Sequence, residues 1–169
     1  MTKKKIIGHE NNLPWKIKEE LQYFRKITLN KVIVMGSNTF ISINKKPLPN
    51  RYNVVLTRDP EKFKNFNHDY QDNNIQFVST IKESLQSAEN FYTAQANQNI
   101  DIHNKEIMII GGGEIYKQYL PIANKLYLSI IKNDYFGDVF FPEYDSNLWK
   151  LESSEDYAEF VAQIWGLQA

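Results

Sequence analysis

Three short apolar runs constrain the fold of this 169-residue chain more than any other feature. Each run is continuous rather than alternating, and each ends at glycine or at charged turn residues. Continuous apolar runs of this length are typical of strands that are buried on both faces, as in parallel sheets. The three runs are VIVM (32–35), NVVLT (53–57) and EIMII (106–110), and two weaker candidates are IQFVS (75–79) and LYLSII (126–131).

Helical patterns separate these runs, at residues 17–28, 38–43, 81–86 or somewhat beyond, and 114–119. Alternation of buried strands with helices predicts an α/β fold: a three-layer sandwich whose central, mainly parallel mixed sheet has flanking helices. The length predicts a single domain over residues 1–169.

Composition argues against several classes of function. Twenty basic residues balance twenty acidic ones, which argues against a nucleic-acid binder that works through a basic surface. The chain has no cysteine, and its three histidines are too far apart in sequence for a metal motif. No apolar run has the length of a membrane span, and the start lacks the apolar core of a signal peptide. We expect a cytoplasmic monomer without metal, membrane or nucleic-acid partners.

Glu20 is the first candidate for a functional side chain. At helical spacing Glu20 lies within an apolar stripe, on the same helix face as Ile17, Leu21, Phe24 and Thr28. Two interpretations are open. Glu20 is either a first-turn glutamate that leans out to water, or the acid of a pocket with a raised pKa.

Two strand-to-helix turns are candidates for an anion site. In IMIIGGGEIY (107–116) three glycines precede a helix start, which leaves backbone N–H groups for a phosphate. The motif is neither a Rossmann fingerprint nor a Walker loop. In MGSNTF (35–40) the polar side chains Ser37, Asn38 and Thr39 begin a helix. The alternatives are a tight turn for the glycines and helix capping for the polar side chains.

Arginine is rare in this chain, with only three among twenty basic residues. Arg58 follows a predicted strand at the edge where ligands of parallel sheets bind, which suits a phosphate. Arg51 follows a turn stiffened by prolines and could hold a carboxylate. The alternative for Arg51 and Arg58 is an ordinary surface charge.

In their order along the chain, these motifs resemble dihydrofolate reductase. The resemblance runs from about residue 7 to residue 149 and leaves only the middle region unlike. It implies a mainly parallel sheet with flanking helices, the reduction of dihydrofolate by NADPH, and binding of antifolates. The segments that carry it include IGHENNLPW (7–15), TLNKVIVMGSNTF (28–40), KPLPNRYNVVLT (46–57), IMIIGGGEIYKQYLP (107–121), LYLS (126–129) and FGDVFFPEY (136–144).

The resemblance also implies roles for single residues. Glu20 matches the one acidic group of the pterin pocket, and Ser129 matches the hydroxyl beside it. Arg51 matches the arginine that holds the α-carboxylate of the glutamate tail. Leu13 gates the mobile loop 8–15, and a water near Trp15 supplies a proton. The apolar walls around the substrate rings are Leu21, Phe24, Ile43, Leu48 and Ile110.

For NADPH, the resemblance implies that residues 112–116 line the diphosphate and nicotinamide, and that the Gly111–Gly112 peptide is cis. Ser37 and Glu114 stand where many relatives carry arginine. The cofactor candidates are Ile7, Gly8, Gly36, Ser37, Asn38, Thr39, Thr57, Arg58, Gly111, Gly112, Gly113, Glu114, Ile115, Tyr116, Gln118 and Gly166.

The two ends of the chain depart from the family pattern. Only MTKKKI precedes residue 7, whereas the family begins with a central strand, and the last residues, FVAQIWGLQA (160–169), look like that strand. We therefore predict a circular permutation, in which Ile164, Trp165 and Gly166 lie beside the pterin and nicotinamide. In the competing interpretation residues 160–165 are the family's usual last strand, and the family's first strand is absent.

Two other functions stay open at this point. One is a reductase of the same fold that acts on a pyrimidine of riboflavin synthesis. The other is a non-catalytic, cofactor-binding relative.

Overall fold

The computed structural model describes residues 1–63, 74–97 and 105–168. It forms two compact units, one of Met1–Phe24 with Gly113–Ala169 and one of Arg25–Gly112. The prediction of a single domain stays a prediction. The regular elements are β1 (Ile6–Gly8), α1 (Lys18–Thr28), β2 (Val32–Gly36), α2 (Ser37–Ser42), β3 (Tyr52–Leu56), β4 (Ile75–Val78), α3 (Ile81–Asn97), β5 (Ile107–Ile109), α4 (Gly113–Tyr119), β6 (Lys125–Ile131), β7 (Val139–Phe140), β8 (Trp149–Asp156) and β9 (Phe160–Leu167).

The unit Arg25–Gly112 is built on a four-stranded parallel sheet in the order β4-β3-β2-β5. In its register Val34 pairs with Val54 on one side and with Ile109 on the other. Residues 32–35 have no exposed surface, so the continuous apolar run marks a strand that is buried on both faces. The five strands and four helices that the sequence predicts are all present, within a few residues of their predicted ends for every element except α3.

Helices α2 and α3 pack against this parallel sheet. Phe40 of α2 is fully buried and meets Phe63 and Phe77 edge-on, with ring centroids 6.3 and 5.5 Å away. The Tyr92 hydroxyl of α3 accepts a hydrogen bond from the Val32 N–H at 3.1 Å and donates one to the Glu106 carbonyl at 2.6 Å. These contacts fix the sheet from which the polar turns emerge.

The other unit contains two antiparallel sheets. One has three strands in the order β6-β9-β8, and the other pairs β1 with β7. The core of this unit gathers Leu126, Leu128, Phe141 and Trp149, with Tyr116 and Trp165 packed against them. No helix in the described ranges is long and apolar enough to cross a membrane.

The predicted circular permutation is wrong. The C-terminal segment forms β9 between β6 and β8, where Tyr127 and Ser153 flank Ile164. It does not enter the parallel sheet, because β2 pairs directly with β5. The competing interpretation, a last strand in a final hairpin, describes the observed topology.

The sequence does not predict the hairpin of β8 and β9, because β8 lacks the alternation of apolar and polar residues that marks a half-buried strand. Only Trp149 of its eight residues is buried, and the others are exposed. Charged and polar side chains are typical of an edge strand, where they discourage pairing with another chain. The turn to β9 is also short, with Tyr157 N–H donating to the Phe160 carbonyl at 2.9 Å.

Ile164, Trp165 and Gly166 are assigned to the ligand site only on the hypothesis of a permuted chain. Trp165 pairs with Leu126 and Leu151 in the antiparallel sheet, and Gly166 pairs with Lys125 and Lys150. The three residues therefore have a structural place between two strands, and we do not retain them as site residues.

A substitution at Gly137 tests the contact between the loop that precedes β7 and β1. A Cβ at Gly137 would overlap the Gly8 carbonyl oxygen and the Ile6 side chain, so Gly137→Ala should lower the free energy of unfolding by about 2 kcal/mol. Urea denaturation measures this. Gly166→Ala is the matched control, because the three atoms nearest to its Cβ all belong to the flexible side chain of Glu152. Equal stability of Gly137→Ala and the native chain would contradict the packing described here.

Candidate active site

Glu20 lies in the first turn of α1 and is half-buried. Its charge acts, after burial, as the second influence on the pKa of two neighbours, the α-ammonium of Met1 and the Tyr116 hydroxyl. The Met1 ammonium donates a 2.6 Å hydrogen bond to the Ser129 main-chain carbonyl, and its burial outweighs Glu20 and lowers its pKa to about 6. Glu20 thus interacts electrostatically with Tyr116 and with the Met1 ammonium, which is hydrogen-bonded to the main chain of Ser129.

The helix face around Glu20 differs from the predicted stripe. Ile17 and Thr28 are buried, Phe24 is half-buried, but Leu21 is 60% exposed. Tyr23 takes the inward position instead and packs on Tyr157 and Phe160 at 6.0 Å. The leucine that follows the half-buried Glu20 is therefore exposed and does not belong to a buried stripe.

Tyr116 on α4 has a hydroxyl group with a strongly shifted pKa. Its ring packs against Phe141 with centroids 5.0 Å apart. Burial, and secondly the charge of Glu20, raises the pKa of Tyr116 to about 12. The phenol therefore stays protonated through the neutral range and can donate a hydrogen bond.

The segment 8–15 is tied to the loop that precedes β7. Asp138 N–H donates to the Gly8 carbonyl at 3.1 Å, and its Oδ1 accepts from the Glu10 N–H at 3.3 Å. Leu13, in the same segment, has a side chain that is 56% exposed. Asp138 was not among the predicted site residues, although it follows a glycine in FGD, a segment that carries the resemblance.

Trp15, the last residue of the segment 8–15, has a buried ring and an indole N–H without a hydrogen-bond partner in the described residues. The residue is 5% exposed and tilts against Tyr135 at 5.8 Å. Its indole Nε1–H has no hydrogen-bond partner in the part of the chain that the structure describes. A buried donor without a protein partner is a place where a water or ligand atom is expected.

The glycine run brings two predicted turns together in the unit Arg25–Gly112. The Gly111–Gly112 peptide is cis, as the resemblance predicts. Gly36 N–H donates to the Gly111 carbonyl at 2.8 Å, which joins the end of β2 to the glycines. Among the described residues, a Cβ at Gly112 would have only Thr39 Oγ1 within 4 Å, at 3.5 Å, so these residues leave space over this backbone.

Gly113 has a different reason to be glycine. It begins α4 in the other unit, and a Cβ there would lie 3.1 Å from the Phe140 carbonyl oxygen. The tight-turn interpretation thus explains Gly113, whereas the open backbone at Gly112 leaves room for a ligand.

The polar side chains at the start of α2 do not cap it. The cap position belongs to Gly36, which has no side chain. Within the described ranges, the side chains of Ser37, Asn38 and Thr39 make no hydrogen bond, so the capping alternative is not realised. They remain available to a ligand.

Arg51 is buried, at 7% exposure, which excludes an ordinary surface charge. Its Nε–H donates to Thr28 Oγ1 at 2.9 Å, while its terminal nitrogens donate to the Pro49 carbonyl at 2.8 Å and the Arg25 carbonyl at 3.2 Å. Burial, and secondly the charge of Arg25, lowers the pKa of Arg51. Arg58, by contrast, is exposed.

The remaining candidates occupy varied environments. Leu48 N–H donates to Asn53 Oδ1 at 2.9 Å, and Ile110 N–H donates to the Val34 carbonyl at 2.9 Å. Thr57 Oγ1 accepts from the Asp59 N–H at 3.3 Å. Half-buried residues among the candidates include Ile7, Gly8, Ile43, Leu48, Thr57 and Ile110, whereas Glu114 and Gln118 are exposed and Ile115 is buried.

The raised pKa of Tyr116 predicts that the free energy of unfolding depends on pH. A phenol that titrates near pH 10 when unfolded and near 12 when folded favours the folded state fully below pH 10. This contribution, about 3 kcal/mol, is lost as the pH rises from 10 towards 12. Between pH 9 and 11 the native chain should therefore lose more unfolding free energy than Tyr116→Phe, as urea titrations at each pH would measure. Parallel losses in both proteins would contradict the buried phenol.

Comparison with known proteins agrees with the architecture. The family model for dihydrofolate reductase matches residues 1–163. The chain is 40% identical over 150 residues to the dihydrofolate reductase of Haemophilus influenzae, covering 89% of this chain and 79% of that protein. It is 39% identical over 151 residues to that of Buchnera aphidicola subsp. Baizongia pistaciae, with the same coverage of 89% and 79%.

A solved structure supports the same assignment. The dihydrofolate reductase from Enterococcus faecalis, complexed with NADP(H) and RAB-propyl, aligns with a TM-score of 0.77 at 26% identity. The alignment covers 100% of this chain and 93% of that chain. The predicted fold class and the predicted oxidoreductase family are confirmed, and the chain belongs to the dihydrofolate reductase family.

Proposed function

We propose that this protein catalyses the NADPH-dependent reduction of 7,8-dihydrofolate to 5,6,7,8-tetrahydrofolate. The observation that carries the proposal is the buried Arg51, which has no carboxylate within ion-pair distance in the described part of the chain. Three of its five N–H groups are used within the protein, which leaves one on each terminal nitrogen. This pair matches a carboxylate, the group that ends the glutamate tail of dihydrofolate.

Glu20 recognises the other end of the substrate. Its carboxylate accepts hydrogen bonds from the 2-amino and N3–H edge of the pterin, and its charge polarises the ring. The Ser129 hydroxyl lies beside this edge. Apolar contacts with the pterin and benzoyl rings come from Leu21, Phe24, Ile43, Leu48 and Ile110.

The residues around the glycine run fit NADPH. Open space over Gly112 lets a diphosphate approach the backbone, and the unbonded side chains of Ser37, Asn38 and Thr39 offer donors. Bound there, NADPH supplies the hydride that reduces the pterin at C6. The other cofactor contacts in this proposal are Ile7, Gly8, Gly36, Thr57, Arg58, Gly111, Gly113, Glu114, Ile115, Tyr116 and Gln118.

Protonation at N5 completes the reduction. The unbonded Trp15 indole N–H holds the water that delivers this proton, while Leu13 on the exposed loop controls access of bulk water. We further propose that the protein acts as a cytoplasmic monomer on small-molecule substrates and is inhibited by antifolates.

The direct test follows NADPH oxidation at 340 nm with and without dihydrofolate, and then with methotrexate. Oxidation that depends on dihydrofolate and stops with methotrexate is the expected result. A folded protein that oxidises no NADPH would overturn the proposal. Turnover of a ribosylamino-pyrimidine phosphate, without turnover of dihydrofolate, would identify the riboflavin-pathway alternative instead.

Replacing Glu20 tests its role in polarising the pterin. Glu20→Gln keeps the shape of the side chain but removes its charge, so kcat at pH 7 should fall by about 100-fold. The melting temperature should change little, because the carboxylate is only half-buried. Glu19→Gln is the matched control on the same helix turn, since Glu19 is exposed. Full kcat in Glu20→Gln would refute the assigned role.

A further inference from the structure

Arg51 is held by the C-terminal end of α1 as well as by its own loop. Thr28, the last residue of that helix, has no exposed surface. Its Oγ1 accepts the Arg51 Nε–H at 2.9 Å, and the Arg25 carbonyl one turn earlier accepts from Nη2 at 3.2 Å. Two groups of one helix end therefore fix the plane of the guanidinium.

The backbone that carries Arg51 is fixed by a second buried side chain. Asn53 has no exposed surface, and its Nδ2 donates to the Leu48 and Arg51 carbonyls, both at 3.1 Å. Its Oδ1 accepts from the Leu48 N–H at 2.9 Å. A single amide thus closes the turn 48–51, so Arg51 starts from a fixed main chain.

This degree of restraint needs an explanation, because it has a cost. A buried guanidinium loses hydration, and the neighbouring Arg25 repels it. In the described ranges no carboxylate lies within ion-pair distance of either arginine, so the positive charge is not neutralised within the protein. A free arginine has about 2 kcal/mol of rotamer entropy, which a ligand would otherwise have to overcome on binding. Restraint in advance removes that cost for a ligand carboxylate.

We propose that Thr28 is a positioning residue, which orients Arg51 for a substrate carboxylate and so makes the protein selective for pterins with an acidic tail. The inference rests on the proposed function. Thr28 acts only through Arg51: it occupies the Nε–H and leaves the two terminal nitrogens to face the ligand. A pterin without a carboxylate makes no use of this arrangement.

The test compares Thr28→Val with Thr28→Ser on two substrates. Valine keeps the volume of threonine but leaves the Arg51 Nε–H without its acceptor, whereas serine retains the hydroxyl. The substrates are dihydrofolate and 6-methyl-7,8-dihydropterin, which has no carboxylate. In Thr28→Val the ratio of the KM for dihydrofolate to the KM for the tail-less pterin should rise about tenfold, the effect of losing one charged hydrogen bond. Thr28→Ser should restore the native ratio.

Introducing Thr28→Val into an Arg51→Leu background separates positioning from general damage. If Thr28 acts through Arg51, the valine should have no further effect on the ratio once the guanidinium is gone. A KM rise of equal size for both substrates, or an effect that persists in Arg51→Leu, would overturn the inference. Melting temperatures of all four variants identify any loss of folded protein.

The outcomes also distinguish the inference from the function on which it rests. If the native protein reduces dihydrofolate and Thr28→Val has the native ratio, only the positioning role is wrong. If the native protein reduces neither substrate, the proposed function fails and the inference fails with it.

Discussion

The pairing of β2 on both of its edges is the constraint on which the parallel unit depends. Residues 32–35 have no exposed surface, so their backbone N–H and C=O groups must be satisfied by the neighbouring strands β3 and β5. Parallel pairing then brings the carboxyl ends of the strands to one edge. There Gly36 binds the Gly111 carbonyl, and the open backbone of Gly112 meets Thr39. The candidate cofactor contacts follow from the way this buried strand is hydrogen-bonded.

Polar groups without partners in the described residues support the proposed functional surface in each unit. The indole N–H of Trp15 and the side chains at the start of α2 make no hydrogen bond within the described residues, while the Arg51 charge has no counter-ion there. The buried side chains of Asn53 and Tyr92, by contrast, have hydrogen-bond partners within the protein. Since an unsatisfied buried donor or charge is costly, we propose that water or ligand atoms complete the bonding of Trp15 and Arg51.

The C-terminal strand β9 shows that the apolar pattern of a strand does not determine which strands it pairs with. FVAQIWGL has the apolar content of a central strand, and the sequence cannot say which neighbours it pairs with. The structure places it between the polar edge strand β8 and β6, with Trp165 beside Leu126. Edge strands carry little apolar signal, so β8 was not recognised, and without it the hairpin was not foreseen.

The sequence by itself determined the buried strands, the helices between them and the family, because continuous apolar runs, helical spacing and an ordered series of motifs are local properties of the chain. It also singled out Glu20, Arg51 and the glycine run. Only the tertiary structure decided that β9 lies among antiparallel strands, that Thr28 and Asn53 hold Arg51, and that Gly112 is open while Gly113 is packed. The physical reason is that pairing partners, burial and hydrogen-bond satisfaction depend on residues distant in sequence, which become neighbours only in the folded chain.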